Sequence, residues 1–455
     1  MKKECLKQLK VSNPHEREAI HANYSVFQKD ILKRHIFKVP STSIMELKEN
    51  WNIETLERNE PISIPTNILE KEYSNQFVMD VEKNCVYYLR LQTIGNDFIL
   101  RLNEEEIGIG GGKQIKYEIP ITSHLKQGKN KLSLQFQNKE VGLLLGATII
   151  KRPKKHILDY KILKTVQSDR IIIEVEPTYA NGFIPSQCLL LSDIGKKIKK
   201  IKVVEEGKIV LEIPKEDIQI WNDETHVLYS LVFITEEEVI AEKIAIEKEM
   251  IKENIYLVDD TPVSLRILNL GKNMDCNRYY EREEIISHMS SWKKRNFNAL
   301  YVDKSLDHQC LKTLCLEYGF YYLKEGDLPF SMEEEEICIN QYGRKEKMPD
   351  VYFPIKAWNI QNQSGVIAIK NIQKFQNLKD NYYVRIVTYQ GGKQIGHKIK
   401  YILDFEAEIE ETFHPEWTSN LEGEMVVQIE FYQRYRTKLV EKFYFYGYYE
   451  VLIQK

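Results

Sequence analysis

A short run of side chains that could do chemistry stands at Asp303, Lys304, Asp307 and His308. Two carboxylates, an amine and an imidazole in one loop can move protons, hold a cation or grip a polar solute. Tyr301 lies just upstream, and Tyr301, Asp303, Lys304 and His308 are the candidate substrate-contacting positions. The competing expectation is a polar loop whose Asp307 caps the start of a helix. Other combinations fall short of a site. Gly110-Gly111-Gly112 lacks the helix and the Lys-Ser/Thr that a phosphate loop needs. The seven cysteines, at 5, 85, 188, 276, 310, 315 and 338, form no CxxC pair, and His308 beside Cys310 has no further zinc ligands at suitable spacing. They read as reduced thiols of a cytoplasmic protein. No Ser/His/Asp or Cys/His arrangement follows from spacing. No catalytic residue, metal ligand or cofactor is therefore assigned.

The elements that must position this loop are legible around it. Apolar runs at Val263–Leu268, Phe297–Val302 and Gly319–Leu323 alternate with two helical patterns. Ile285, Met289 and Trp292 recur at helical spacing in the first, and Leu311, Leu314, Cys315 and Tyr318 in the second. Strand, helix, strand, helix, strand makes two right-handed βαβ units. That is the opening of a parallel barrel or a very small open sheet, with the polar loop at the C-terminal end of its second strand.

The rest of the chain alternates with period two. With 455 residues and 43% hydrophobic content, several domains with real cores are expected. From about 61 to 155, strand patterns at Gln76–Val81, Cys85–Leu91, Asp97–Leu102, Gln114–Ile119 and Lys131–Gln137 predict an antiparallel sandwich. Residues 156–250 alternate again at Ile171, Ile173, Val175, then Ile209, Leu211, Ile213, then Tyr229, Leu231, Phe233, predicting an immunoglobulin-like sandwich. A charged stretch containing Glu333–Glu336 predicts a solvated linker over 331–348. Strands return over 349–455, where Tyr383–Gln390, Gly391-Gly392 and Lys393–Ile402 read as a hairpin. The net charge of −3 and pI near 6.4 give no electrostatic case for nucleic acid or an anionic membrane. No apolar run reaches the roughly 18 residues of a membrane span, and the N-terminal lysines precede no apolar core of a signal peptide.

Specific strings resemble glycoside hydrolase family 2, the β-galactosidase family. Thr261-Pro262-Val263-Ser264-Leu265-Arg266 resembles that family's first barrel strand, Arg295-Asn296-Phe297-Asn298-Ala299 its second, and Leu314-Cys315-Leu316-Glu317-Tyr318-Gly319 its third. Phe98–Gly108 resembles a hairpin of the family's sugar-binding jelly roll, and Ile119–Asn130 the segment that follows it. Trp221–Leu231 resembles the run closing its immunoglobulin-like domain, and Val351–Ile355 with Ile369–Leu378 pieces of the sandwich after the barrel. The fold class implied is mainly β and multidomain: arm and jelly roll (1–155), immunoglobulin-like sandwich (156–250), truncated TIM-barrel remnant (251–330), linker (331–348) and C-terminal β-sandwich (349–455).

A (β/α)₈ barrel needs about 250 residues; here the sequence turns to the Glu-rich linker after the third strand. Retaining hydrolysis needs two carboxyl groups about 5–5.5 Å apart, and the resemblance places both on later strands. The Asn-Glu pairs present, Asn59-Glu60 and Asn103-Glu104, read as turns, and Asn222-Asp223 is their nearest relative. Tyr301 and Lys304 stand where the family pattern has Arg and His. The expectation is a catalytically inactive β-galactosidase-like protein serving as a scaffold or interaction subunit. The alternatives are a carbohydrate-binding protein using its jelly roll, where Tyr87 and Tyr88 cannot both point inward, and a residual hydrolase. In the remnant, Val263, Leu265 and Ile267 are expected against the helices. Ser264, Arg266 and Leu268, with Ala299, Tyr301 and Asp303, would face the former barrel interior, to be covered either by the neighbouring sandwiches or, the favoured expectation, by a second subunit burying roughly 800 Å² per partner.

Overall fold

The computed structural model describes residues 20–23, 44–53, 61–64, 66–67, 72–94, 97–111, 115–137, 143–274, 280, 282–302, 309–328, 332–348, 354–360, 366–400, 404–413 and 423–454. Strands dominate it, in the mainly β, multidomain arrangement expected. The chain forms two compact units: Met1–Asp217 with Tyr229–Ile244, and Ile218–Leu228 with Ala245–Lys455. Among the described residues no helix is long and apolar enough to cross a membrane.

In the first unit, alternation drives two sandwiches. One sheet orders Ile115–Pro120, Cys85–Ile94, Leu143–Pro153 and Ile44–Glu46; its companion includes Glu72–Met79, Gly128–Phe136, Phe98–Leu102 and Glu105–Gly110. Their inward residues, among them Trp51, Tyr73, Tyr87, Phe98, Leu134 and Phe136, make one buried core. Asn103 and Glu104 both adopt left-handed backbone at φ 53° and 72°, so this Asn-Glu pair is the hairpin turn expected of it. Asn59-Glu60 lies outside the described residues. Two further sheets form the immunoglobulin-like part, one of His156–Val166, Arg170–Ala180 and Ile209–Pro214, the other ending on Ile20–Asn23 paired antiparallel to Glu238–Ile244. The N-terminal segment thus extends this second sandwich. Of the described residues read as arm and jelly roll over 1–155, Ile20–Asn23 joins the second sandwich and the strands from Ile44 to Pro153 form the first.

The second unit is built on the predicted βαβαβ run. Strand β1 (Leu265–Asn269), helix α1 (Arg282–Lys294), strand β2 (Ala299–Val302), helix α2 (Gln309–Tyr318) and strand β3 (Tyr321–Lys324) follow in order, and β1, β2 and β3 pair in parallel. The helical residues named from spacing are buried: Ile285, Met289 and Trp292 on α1, Leu311, Leu314 and Cys315 on α2. The faces of β1 differ from expectation. Leu268, Leu300 and Val302 meet the helices, whereas Leu265, Ile267, Ala299 and Tyr301 lie on the opposite face. Every residue of β1 is buried, so its pattern holds no polar face from which to read the phase.

The linker reading also needs correction. Within 331–348, strand β4 (Glu336–Ile339) pairs antiparallel with β1, and strand β5 (Lys345–Glu346) pairs with β4. Ile337 and Ile339 are 4% and 3% exposed. They complete a core with Trp221, Tyr256, Val258, Val263, Tyr301, Tyr321, Leu328 and Met332. The face expected to await a second subunit is therefore covered from within the chain, because an unpaired edge and a bare apolar face are both costly. The result is a five-stranded open sheet, ordered β3-β2-β1-β4-β5.

The C-terminal part is a sandwich. Three short strands, Ile355–Asn359, Ile367–Asn371 and Glu410–Phe413, face a sheet of β6 (Tyr382–Gln390), β7 (Lys393–Lys400), β8 (Glu424–Gln433) and β9 (Phe445–Gln454), ordered β7-β6-β8-β9. The predicted hairpin turn is Gly391-Gly392, with φ 54° and 76°.

Candidate functional site

Polar groups gather in the second unit where β1, β2 and β3 begin. The segment Ile218–Leu228, which by sequence order falls inside the immunoglobulin-like region, supplies the acids. Trp221 anchors it: fully buried, it donates Nε1–H to the Leu316 carbonyl at 2.9 Å and packs edge-on against Tyr321. Asn222 then turns the chain, its Oδ1 accepting from the backbone N–H of Glu224 at 3.1 Å and of Thr225 at 2.9 Å.

That turn aims Asp223 at the sheet. Its carboxylate accepts from Asn298 Nδ2 and from the Tyr321 hydroxyl, each at 2.8 Å, with the Arg266 guanidinium 3.9 Å away. Asn298 ties the strands together, accepting from the Arg266 backbone N–H at 2.7 Å and donating to the Ser264 carbonyl at 3.0 Å. Arg266 donates Nε–H to the Asn296 carbonyl at 2.6 Å. Lys293, at the end of α1, donates to the carbonyls of Gly319 at 2.8 Å and Asp223 at 3.3 Å. Burial holds its amine down to about 8, with Asp223 pulling the other way. Gly319 is required at this point: its φ is +75°, and a Cβ there would sit 2.6 Å from the Asp223 carbonyl oxygen.

Glu224 faces the C-terminal sandwich. It accepts from the backbone N–H groups of Lys374 and Phe375, both at 2.8 Å. Burial, then the neighbouring Asp223, pushes its carboxyl up to about 7. His226 is held down to about 4 by burial and then by Lys293, and its Nδ1 has no hydrogen-bond partner. Asp223, Glu224, His226, Arg266, Lys293 and Asn298 line part of a cavity of about 130 Å³.

The position of this cluster decides what it can do. It sits at the N-terminal ends of the parallel strands, the face that in (β/α)₈ architectures serves stability; chemistry there belongs to the opposite, C-terminal face. Asp223 accepts from side chains at the strand starts and Glu224 from the backbone of Lys374 and Phe375, so the two carboxylates join the sheet to the C-terminal sandwich. The cluster acts as a clasp between the α/β layer and the C-terminal sandwich.

Of the residues singled out from sequence, Tyr301 is 5% exposed and packed in the core with Trp221 and Ile337. Asp303, Lys304, Asp307 and His308 lie outside the described residues. In the jelly roll, Tyr87 is buried and donates to the Asp80 carbonyl at 3.1 Å, while the half-buried Tyr88 meets His156 Nε2 at 3.2 Å. Both tyrosines are spent on internal bonds. The clasp itself was missed, because Asp223 lies some seventy residues before Lys293 and Asn298 in the chain. The signal that could have found it is the acidic pair directly after a Trp-Asn turn.

Comparison with known proteins places this geometry. No family model matches the sequence. The chain is 20% identical over 421 residues to a β-galactosidase of Leuconostoc mesenteroides, covering 78% of this chain and 40% of that protein. A β-galactosidase of Staphylococcus xylosus is 23% identical over 273 residues, 56% of this chain and 27% of its own length. One of Oenococcus oeni is 21% identical over 431 residues, 80% of this chain and 40% of its own length. The chain thus spans well under half the length of these curated relatives.

Among solved structures, β-glucuronidase from Ruminococcus gnavus in complex with uronic isofagomine superposes at a TM-score of 0.50 and 15% identity, over 63% of this chain and 59% of that one. β-D-glucuronidase of Dictyoglomus thermophilum gives 0.51 at 13% identity, over 66% and 61%. The fold is that of a glycoside hydrolase family 2-like, multi-sandwich protein.

Proposed function

We propose that this chain is a non-catalytic member of the glycosidase-like class, acting as a scaffold or interaction subunit. One observation carries the reading: β1 is flanked on one side by parallel β2 and on the other by antiparallel β4. A closed parallel barrel requires a parallel strand on both sides of its first strand. Antiparallel β4 and β5 take that side of β1, so among the described residues no ring of later parallel strands presents an acid and a nucleophile across a barrel mouth. The relatives named above are β-galactosidases, and that activity depends on such a carboxyl pair.

Purified protein is expected to release no chromophore from aryl β-galactosides, β-glucuronides or β-mannosides above the level of a mock preparation. Turnover that disappears when a single Asp or Glu of this chain is substituted would contradict the proposal. A protein partner belongs to the same proposal. The core face of the sheet is already covered, so a partner would engage a different surface.

A further inference from the structure

We infer that the outer face of the C-terminal sandwich is a binding platform for a neutral oligosaccharide, centred on Phe445 and Tyr448. Along β8 the residues Met425, Val427, Ile429 and Phe431 point into the core. Gln428, Glu430 and Tyr432 therefore face outward. Across the sheet Tyr383 pairs with Tyr432 and Tyr432 with Phe445, with ring centroids 5.1 and 5.2 Å apart; Tyr383 is buried and Tyr432 half-buried, so Phe445 is the exposed end of the row. The next row runs Arg385, Glu430, Tyr448.

Phe445 and Tyr448 are three residues apart, and strict alternation would send one of them inward. A β-bulge prevents it. The register with β8 slips between Phe431 and Tyr432, beside Gly447 at φ +139°, so both aromatics emerge on the outer face, 45% and 46% exposed. Bulges of this kind re-aim side chains at functional edges. Exposing two large aromatics side by side has no benefit to stability.

The polar groups beside the rings define the ligand. Glu430 accepts from Arg385 at 3.2 Å and from the Tyr432 hydroxyl at 2.9 Å, and Gln428 donates to Glu450 at 2.8 Å. The arginine is thus matched by Glu430, and Glu450 adds a negative charge. Such a face disfavours a polyanion such as single-stranded nucleic acid, which needs a basic groove around its aromatic rings. A second copy of this chain would bury these charges at the centre of the contact, where interfaces are depleted of them. A neutral saccharide suits both features. Its C–H face packs on the electron-rich ring faces, and its hydroxyls can bond to the carboxylates, the guanidinium and the tyrosine hydroxyl.

The test is calorimetric titration of the full chain with cellotetraose, β-1,4-galactotetraose and laminaritetraose. At least one is expected to bind with a Kd of about 0.1–1 mM, as befits a shallow open site. Affinity should be unchanged in 1 M salt and fall about tenfold or more in Phe445→Ala and in Tyr448→Ala. Both side chains are exposed, so each variant should retain the parent's thermal midpoint. Absence of binding by all three sugars, or binding that survives both substitutions, would overturn the proposal. So would a dimer, seen by light scattering, that Phe445→Ala dissolves while sugar leaves it unaffected.

Discussion

Burial sets the ionisation of Glu224, and through it part of the stability of the second unit. Its carboxyl is held up to about 7, from an ordinary 4.5, by burial first and Asp223 second. Between those pH values the folded chain keeps a proton that the unfolded chain has lost. The folded state is therefore favoured most below about pH 4.5, and this contribution is lost as pH rises through about 7. Glu249, raised to about 7 by burial, acts in the same direction. His226, held down to about 4, acts oppositely, because the unfolded chain takes up its proton first as pH falls below 6.5. Glu224→Gln removes one slope and leaves the others. Relative to the parent, the variant should gain about 1–3 kcal/mol between pH 4.5 and 7 in urea unfolding; a relative loss over that range would contradict the assigned burial. None of this was legible in the sequence. Asp223 and Glu224 read as part of a domain-closing run, and only the fold brings Asn298, Tyr321 and the Lys374-Phe375 backbone to them.

Strand β4 shows what local pattern can and cannot reveal. The helices were readable because Ile285, Met289 and Trp292, and Leu311, Leu314 and Cys315, repeat at helical spacing against charged neighbours. The alternating strands of the jelly roll were readable for the same reason, as at Leu132, Leu134 and Phe136. Ile337-Cys338-Ile339 is too short to stand out beside four glutamates, so charge masked a strand whose pairing is set by the free edge of β1. Ile337 is buried against the core that holds Trp221 and Tyr321. Ile337→Ala should therefore cost about 2–4 kcal/mol in chemical unfolding of the full chain. A loss under 0.5 kcal/mol, typical of a surface position, would mean that β4 does not complete this sheet.

At the scale of the whole molecule, the mainly β, multi-sheet class followed from period-two alternation with a single βαβαβ interruption, and the resemblance to glycoside hydrolase family 2 agrees with the fold observed. The excursion of Ile218–Leu228 into the second unit did not follow, since nothing in a linear pattern marks a segment that leaves one core for another. The fold consists of sandwiches and an α/β layer clasped at its strand starts, with an antiparallel strand beside β1. The central claim, that no carboxylate here is poised as a glycosidase nucleophile, is tested most directly by covalent trapping. A retaining enzyme attacks the anomeric carbon and forms a glycosyl-enzyme, which 2-deoxy-2-fluoro-glycosyl fluorides of galactose, glucuronic acid and mannose trap on the protein. Intact mass spectrometry after prolonged incubation should show the unmodified chain with all three reagents. A stoichiometric single adduct mapping to one Asp or Glu would contradict the account.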